Sequence, residues 1–149
     1  KKNIVNSLYI DPNVLENSVR ERYERYAELE EKEVKYEEYM TDDADIVIVA
    51  YGITARICKS AITELRKAGI KAGLLRPITL WPFPKKILGE LAEKTKAFVS
   101  VEMSMGQMVD DVRLAVNGKK PVYFYGRTGG IIPSVEEVAA EIAKISESL

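Results

Sequence analysis

Between Asp45 and Leu149 the chain repeats one pattern four times: a short apolar run, then a longer segment with apolar residues three and four positions apart. The first run, Ile46-Val47-Ile48-Val49-Ala50-Tyr51, is almost wholly β-branched or apolar. Strands covered on both faces need such runs, whereas half-solvated strands alternate. Gly52 ends it, and Ile57, Cys58, Ala61, Ile62, Leu65 and Ala68 then mark one helical stripe stopping at Gly69. Lys71–Arg76 predicts a second strand, with Ile87, Leu88, Leu91 and Ala92 striping the next helix. Ala97–Val101 predicts a third strand. Met108, Val109, Val112, Ala115 and Val116 follow as a helix ended by Asn117-Gly118. Pro121–Tyr125 predicts the fourth strand. Ser134 with Glu137 three residues on forms a capping box for a last helix striped by Val135, Val138, Ala139, Ile142 and Ile145. Four such units with short connections predict an α/β fold: a three-layer α/β/α arrangement around a mainly parallel sheet, joined by right-handed crossovers.

The first 44 residues read differently. Ile4–Ile10 is a short, weakly alternating run, expected to be extended. Asp11-Pro12 gives an N-cap followed by proline at the first helical position. From there Leu15, Val19, Tyr23, Tyr26 and Leu29 fall on one stripe of an otherwise charged helix, which needs either the body of this chain or another chain to cover it. Val34–Met40 reads as a prolonged helix or an extended connector, with a break expected near Glu33. The division expected is an extension over residues 1–44 and an α/β domain over 45–149. Charge supports it: residues 16–43 hold 11 acidic and 5 basic side chains, whereas residues 44–149 hold 11 acidic and 15 basic.

The net charge of −1 gives no global basic field, so nucleic acid is not an expected partner. No apolar run approaches the roughly 20 residues needed to span a bilayer, and no secretory apolar region is present. The chain begins Lys-Lys-Asn, which is read as a piece of something longer. Histidine is absent and Cys58 is the only cysteine. Within this chain that leaves no disulfide, no tetrahedral zinc site, no cysteine-ligated cluster and no imidazole proton shuttle. Cys58 lies on a helical apolar stripe, so a buried thiol is expected.

Candidate chemistry belongs on the segments leaving the strands' carboxyl ends, where open α/β sheets meet ligands and partners. These are Gly52 through Arg56, Arg76 through Pro84, Glu102 through Gln107, and Gly126 through Gly130. The second holds the only Trp and three of the six prolines: Arg76-Pro77-Ile78-Thr79-Leu80-Trp81-Pro82-Phe83-Pro84. Prolines cannot continue a ladder, so the chain must cross the sheet edge there as a stiff apolar loop. Trp81, Pro82 and Phe83 are therefore candidates for a docking surface, or for a structural cap over helix ends. Arg56, Arg76 and Arg127 are placed to hold a carboxylate or phosphate, or to pair with neighbouring acids such as Glu102. Gly52, Gly129 and Gly130 lack the spacing of any nucleotide motif and fit tight turns better. Met103, Met105 and Met108 around Gly106 serve either an adaptable surface or the core. Asp110-Asp111 reads as a solvated helix face. No nucleophile, base and oxyanion hole assemble.

Three blocks together resemble a known domain: Asp45-Ile46-Val47-Ile48-Val49-Ala50-Tyr51-Gly52, Gly73 through Pro84, and Val101-Glu102-Met103-Ser104-Met105-Gly106-Gln107-Met108. It is the transketolase C-terminal-like domain of 2-oxoacid:ferredoxin oxidoreductase alpha subunits. Ser7 through Pro12 and Tyr125 through Gly130 resemble the 2-ketoisovalerate branch in particular. The resemblance implies a parent complex in the cytoplasm that makes acyl-CoA by oxidative decarboxylation of a 2-oxo acid. That complex would use thiamine diphosphate, Mg²⁺, a [4Fe–4S] cluster and coenzyme A, with ferredoxin as acceptor. The family's diphosphate motif, Gly-Asp-Gly followed by Asn, is missing, since no Asp-Gly pair occurs in this sequence. The resemblance therefore implies a C-terminal domain without cofactors of its own, inactive alone and packed in an oligomer against other domains and subunits. Its expected interface and ligand-loop residues are Gly52, Arg56, Arg76, Pro77, Trp81, Pro82, Phe83, Glu102, Gly106, Gln107, Arg127, Gly129 and Gly130. Two rivals remain on the residues alone: a stand-alone anion-binding module using Arg56, Arg76 and Arg127, and a flavodoxin-like carrier. The second lacks a run of hydroxyl residues in the first loop, where Thr54 stands alone, for a flavin phosphate.

Overall fold

A computed structural model describes residue 6 and residues 8–149. Five helices and five strands follow in the order α1 (Pro12–Lys32), β1 (Tyr36–Tyr39), β2 (Ile46–Val49), α2 (Gly52–Lys67), β3 (Ala72–Pro77), α3 (Lys85–Lys94), β4 (Ala97–Glu102), α4 (Met108–Val116), β5 (Val122–Gly126) and α5 (Val135–Glu147). The sheet order is β1-β3-β2-β4-β5. β3, β2, β4 and β5 run parallel, while β1 pairs antiparallel with β3, Glu37 opposite Arg76 and Tyr39 opposite Leu74.

Strand alternation divides the core in two. Ile46, Ile48, Leu74, Val99 and Val101 point to one face and pack with Cys58, Ile62 and Leu65 of α2 and Val138 and Ile142 of α5. Val47, Val49, Leu75 and Phe98 point to the other and pack with Leu88 and Leu91 of α3 and Val112 and Val116 of α4. Burial on both faces is why β2 is wholly apolar and β4 carries only two polar side chains, Ser100 and Glu102, which bond to each other. Helix ends follow the local rules. The Asp11 carboxylate accepts from the Asn13 amide at 2.9 Å, Asn117 takes the left-handed conformation after α4, and the Ser134/Glu137 capping box is complete.

Three expectations need amendment. Residues 34–40 neither extend α1 nor form a plain connector: Tyr36–Tyr39 is an edge strand, antiparallel to β3, so the sheet is parallel only over four strands. Tyr-Glu-Glu-Tyr lacks alternation, and its strand state comes from pairing with Leu74–Pro77. Close approach at Gly73 enables this, because a Cβ there would collide with the Met40 carbonyl. Second, Gly52 through Arg56 is the first turn of α2 rather than a loop, with Gly52 at φ +60° turning the chain out of β2. Third, of the run Ile4–Ile10 expected to be extended, residues 4, 5 and 7 lie outside the described residues, and Asn6 and Leu8 through Ile10 belong to no strand. The break near Glu33 is where α1 ends, with Glu33 as its C-cap.

Candidate functional site

In this strand order the chain moves outward from β2 in both directions, so the topological switch lies between the carboxyl ends of β2 and β4. A cavity of about 190 Å³ opens there, lined by Tyr51, Ile53 and Thr54 from the start of α2 and by Glu102, Met103 and Gln107 after β4. Its central polar group is already committed. Glu102 is 4% exposed. One carboxylate oxygen accepts from the Val109 amide at 2.8 Å and the Ser100 hydroxyl at 2.9 Å. The other accepts from the Gln107 and Met108 amides at 3.0 and 3.1 Å and the Ser104 hydroxyl at 2.9 Å. Burial works against the charged form, but the Gln107 and Met108 amides and the two serine hydroxyls outweigh it and hold the carboxyl below its ordinary value. Glu102 thus caps α4 from the end of β4, a charge at a helix N-terminus. Sequence spacing hid this, because a capping carboxylate is usually the residue just before a helix, not one six positions earlier.

The arginines do not converge. Arg76 donates to Glu37 at 2.9 Å, and Glu37 is also held by Lys59. Arg127 donates to Glu137 at 2.7 Å. Arg76 ends β3 and Arg127 follows β5, with β2 and β4 between them. Three strand spacings separate those two strands, about 14 Å. Arg56 is exposed beside Arg76 and Lys59 at a notch of about 140 Å³. Arg56 and Arg76 share that notch while Arg127 lies apart: Arg76 pairs with Glu37 and Arg127 with Glu137, and Glu102 pairs with neither. Glu37 escaped sequence reading because β1 did. Lys59 was legible in principle, three residues after Arg56 on the same helix face.

The proline loop separates its residues by depth. Trp81 is 54% exposed, whereas Phe83 is 7% exposed within the α3/α4 core. Pro77 and Pro82 are buried too, so of the docking candidates Trp81, Pro82 and Phe83 only Trp81 is exposed. The Lys35 carbonyl accepts from the Ile78 amide at 2.9 Å, and the Thr79 hydroxyl donates to the Pro82 carbonyl at 2.8 Å. The Trp81–Pro82 peptide is cis. The indole meets Tyr26 of α1 edge-on at 5.3 Å. The methionines divide: Met108 is buried, while Met103 and Met105 are exposed. Gly106 approaches Val109 and Phe124, Gln107 is exposed, and Gly129 and Gly130 take positive φ in the turn after β5. Asp110 and Asp111 sit exposed in the first turn of α4. Burial pushes the Cys58 thiol up to about 12, which removes it as a nucleophile near neutral pH.

No group of three or more His, Cys, Asp or Glu among the described residues is placed to hold a metal ion, and one buried thiol cannot ligate a cluster. The Gly-Asp-Gly pattern that the resemblance ties to thiamine diphosphate does not occur in this sequence. None of the described helices is long and apolar enough to cross a membrane.

Fold and site together define a three-layer α/β domain of the doubly wound class, with an apolar, internally satisfied carboxyl edge. Residues 44–138 match the model of pyruvate:ferredoxin oxidoreductase core domain II, and the chain belongs to that family. It is 48% identical over 145 residues to the ketoisovalerate oxidoreductase subunit VorB of Methanothermobacter marburgensis, covering 97% of this chain and 41% of that protein. The chain thus spans about two fifths of the length of that relative. Among solved structures, 91% of the chain superposes on 24% of a chain of 2-oxoglutarate:ferredoxin oxidoreductase from Magnetococcus marinus, with TM-score 0.74 and 18% identity. A split-gene transketolase covers 74% of the chain with TM-score 0.62 and 23% identity, and the chain covers 40% of it. At these identities the two structures establish the fold: that of the 2-oxoacid:ferredoxin oxidoreductase and transketolase domains.

Proposed function

We propose that this chain is a packing and positioning domain in the alpha-type subunit of a 2-oxoacid:ferredoxin oxidoreductase, and that the reacting groups lie on other domains. Similarity to the ketoisovalerate oxidoreductase subunit supports 2-ketoisovalerate as the substrate of the parent complex, which works in the cytoplasm and makes acyl-CoA. Thiamine diphosphate with Mg²⁺ and the [4Fe–4S] cluster are held elsewhere in that complex, coenzyme A is its acyl acceptor, and ferredoxin takes the electrons. Residues 45–149 form the packing domain, and residues 1–44 are an extension that lends β1 to its sheet.

One observation carries this reading. At the carboxyl edge Glu102, Arg76 and Arg127 are paired within the chain, Arg56 and Gln107 are exposed polar side chains, and Tyr51, Ile53, Met105 and Trp81 stand exposed as an apolar set. An edge built to do chemistry keeps polar groups free; an edge built to be covered keeps apolar ones free. On this reading the exposed set borders the entrance for substrate or coenzyme A in the parent complex. Isothermal calorimetry of the purified chain with thiamine diphosphate and Mg²⁺ is expected to show no binding at micromolar concentration. Its 2-oxo acid turnover is expected to be nil until the remaining subunits are added. Micromolar binding, or turnover by the chain alone, would overturn the assignment.

A further inference from the structure

A groove of about 570 Å³ opens between α1 and the proline loop, walled by Tyr23, Tyr26 and Trp81 and completed by Ala27 and Glu30. Nothing along the 21 residues of α1 is buried, and Tyr23 is 68% exposed. Tyr26 is the hinge of the cluster, with ring centroids 5.3 Å from Trp81 and 5.9 Å from Tyr23. Tyrosine and indole faces carry negative electrostatic potential, and the groove's lining holds one acid and no base. Among the described residues Glu30 forms an ion pair with Lys85 at 3.6 Å, too long for a direct hydrogen bond, so the carboxylate keeps acceptor capacity. Aromatic faces beside a carboxylate favour an organic cation. Guanidinium suits them best, being planar, weakly hydrated and able to stack.

We propose that this groove seats an arginine side chain presented by another segment of the parent complex, with that segment's apolar neighbours covering Leu15, Val19 and Leu29 along the same stripe. The proposal rests on the packing role above and names the chemistry of the partner. Two observations favour it over a second copy of this chain. Residues 16–43 have 11 acidic against 5 basic side chains, so two copies brought together here would repel. The core-domain match begins at residue 44, yet similarity to the ketoisovalerate oxidoreductase subunit runs over 97% of the chain. The extension carrying α1 is therefore shared with a longer protein although it lies outside the core domain. Tryptophan, tyrosine and arginine are also the residues that dominate binding energy at protein interfaces.

Trp81 is the only tryptophan, so its fluorescence reports on the groove directly. The 149-residue chain is titrated with Nα-acetyl-arginine amide and with the neutral isostere Nα-acetyl-citrulline amide. A saturable change at millimolar arginine probe is expected, with affinity for the citrulline probe lower by about tenfold or more. Glu30→Gln and Tyr26→Ala are expected to weaken arginine binding by about tenfold, while Tyr26→Phe and the neighbouring Glu31→Gln leave it unchanged. Circular dichroism verifies that each variant is folded. Equal response to both probes, no response to either, or undiminished binding by Glu30→Gln overturns the proposal. So does sedimentation of the chain as a dimer whose Trp81 is shielded from acrylamide. The thiamine diphosphate calorimetry does not enter this titration, so failure of the packing assignment and failure of the groove are read separately.

Discussion

Replacing Glu102 by glutamine is expected to lower the stability of the chain by about 3 kcal/mol at neutral pH, measured by urea unfolding. Five donors converge on this carboxylate, three of them backbone amides at the start of α4. A hydrogen bond to a charged group contributes about 1.5–3 kcal/mol, and a buried donor left without an acceptor costs about 1–3 kcal/mol. Glutamine keeps one acceptor oxygen but turns an NH₂ group toward donors, so roughly half of the array is lost together with the charge at the helix end. For a domain of this size about 3 kcal/mol corresponds to roughly 10 °C in Tm. The pH dependence follows from linkage. The folded carboxyl lies below its ordinary value of 4.5, so the unfolded chain binds more protons in the acidic range. The stabilisation from Glu102 is fully present above the unfolded value and is lost as pH falls through the folded one. Wild-type stability is therefore expected to approach that of Glu102→Gln on acidification below about pH 4.5, and a gap that stays constant to about pH 3 would contradict the capping role. Glu37 is also held below its ordinary value, by Lys59 and Arg76, but it is partly exposed and present in both proteins, so it cancels in the comparison.

Phe98→Ala is expected to cost about 4 kcal/mol, more than the loss of the Glu102 carboxylate. Phe98 is fully buried on β4 among Val47, Leu88 and Val112, where removing the ring leaves a cavity that two sheet-packed helices cannot close. Trp81→Ala removes a larger side chain and is expected to cost the isolated chain only about 1 kcal/mol, chiefly the edge contact with Tyr26. Measured side by side by thermal unfolding, the two substitutions separate a residue kept for the core from one kept for contact. Comparable losses would mean that the indole belongs to the chain's own interior and not to an interface.

Much of the architecture was legible in the order of residues. Ile46–Val49 and Ala97–Val101 admit no solvent-facing position, which specifies central parallel strands. Glycine and asparagine after α2 and α4, and the Ser134/Glu137 pair before α5, mark helix ends through atoms within a few residues of each other. The buried state of Cys58 followed from its place on a helical stripe, and the missing cofactor motif was visible as an absence of particular residues.

The remainder depended on neighbours distant in the chain. Tyr36–Tyr39 is a strand because β3 offers it a free edge and Gly73 lets Met40 come close; nothing within the tetrapeptide requires it. Arg76 and Arg127 were correctly placed near strand ends, yet which acid each finds is set by strand order, and that order holds them on opposite sides of β2 and β4. Trp81 and Phe83 are two residues apart and equally apolar, and only the seating of the proline loop on α3 turns one outward and the other in. Sequence alone therefore determined the α/β class and the helix ends, because these arise from residue identity and local hydrogen bonds. Tertiary structure decided ion-pair partners, the edge strand and the exposed aromatic groove, because those energies exist only once segments far apart in sequence are brought within contact distance.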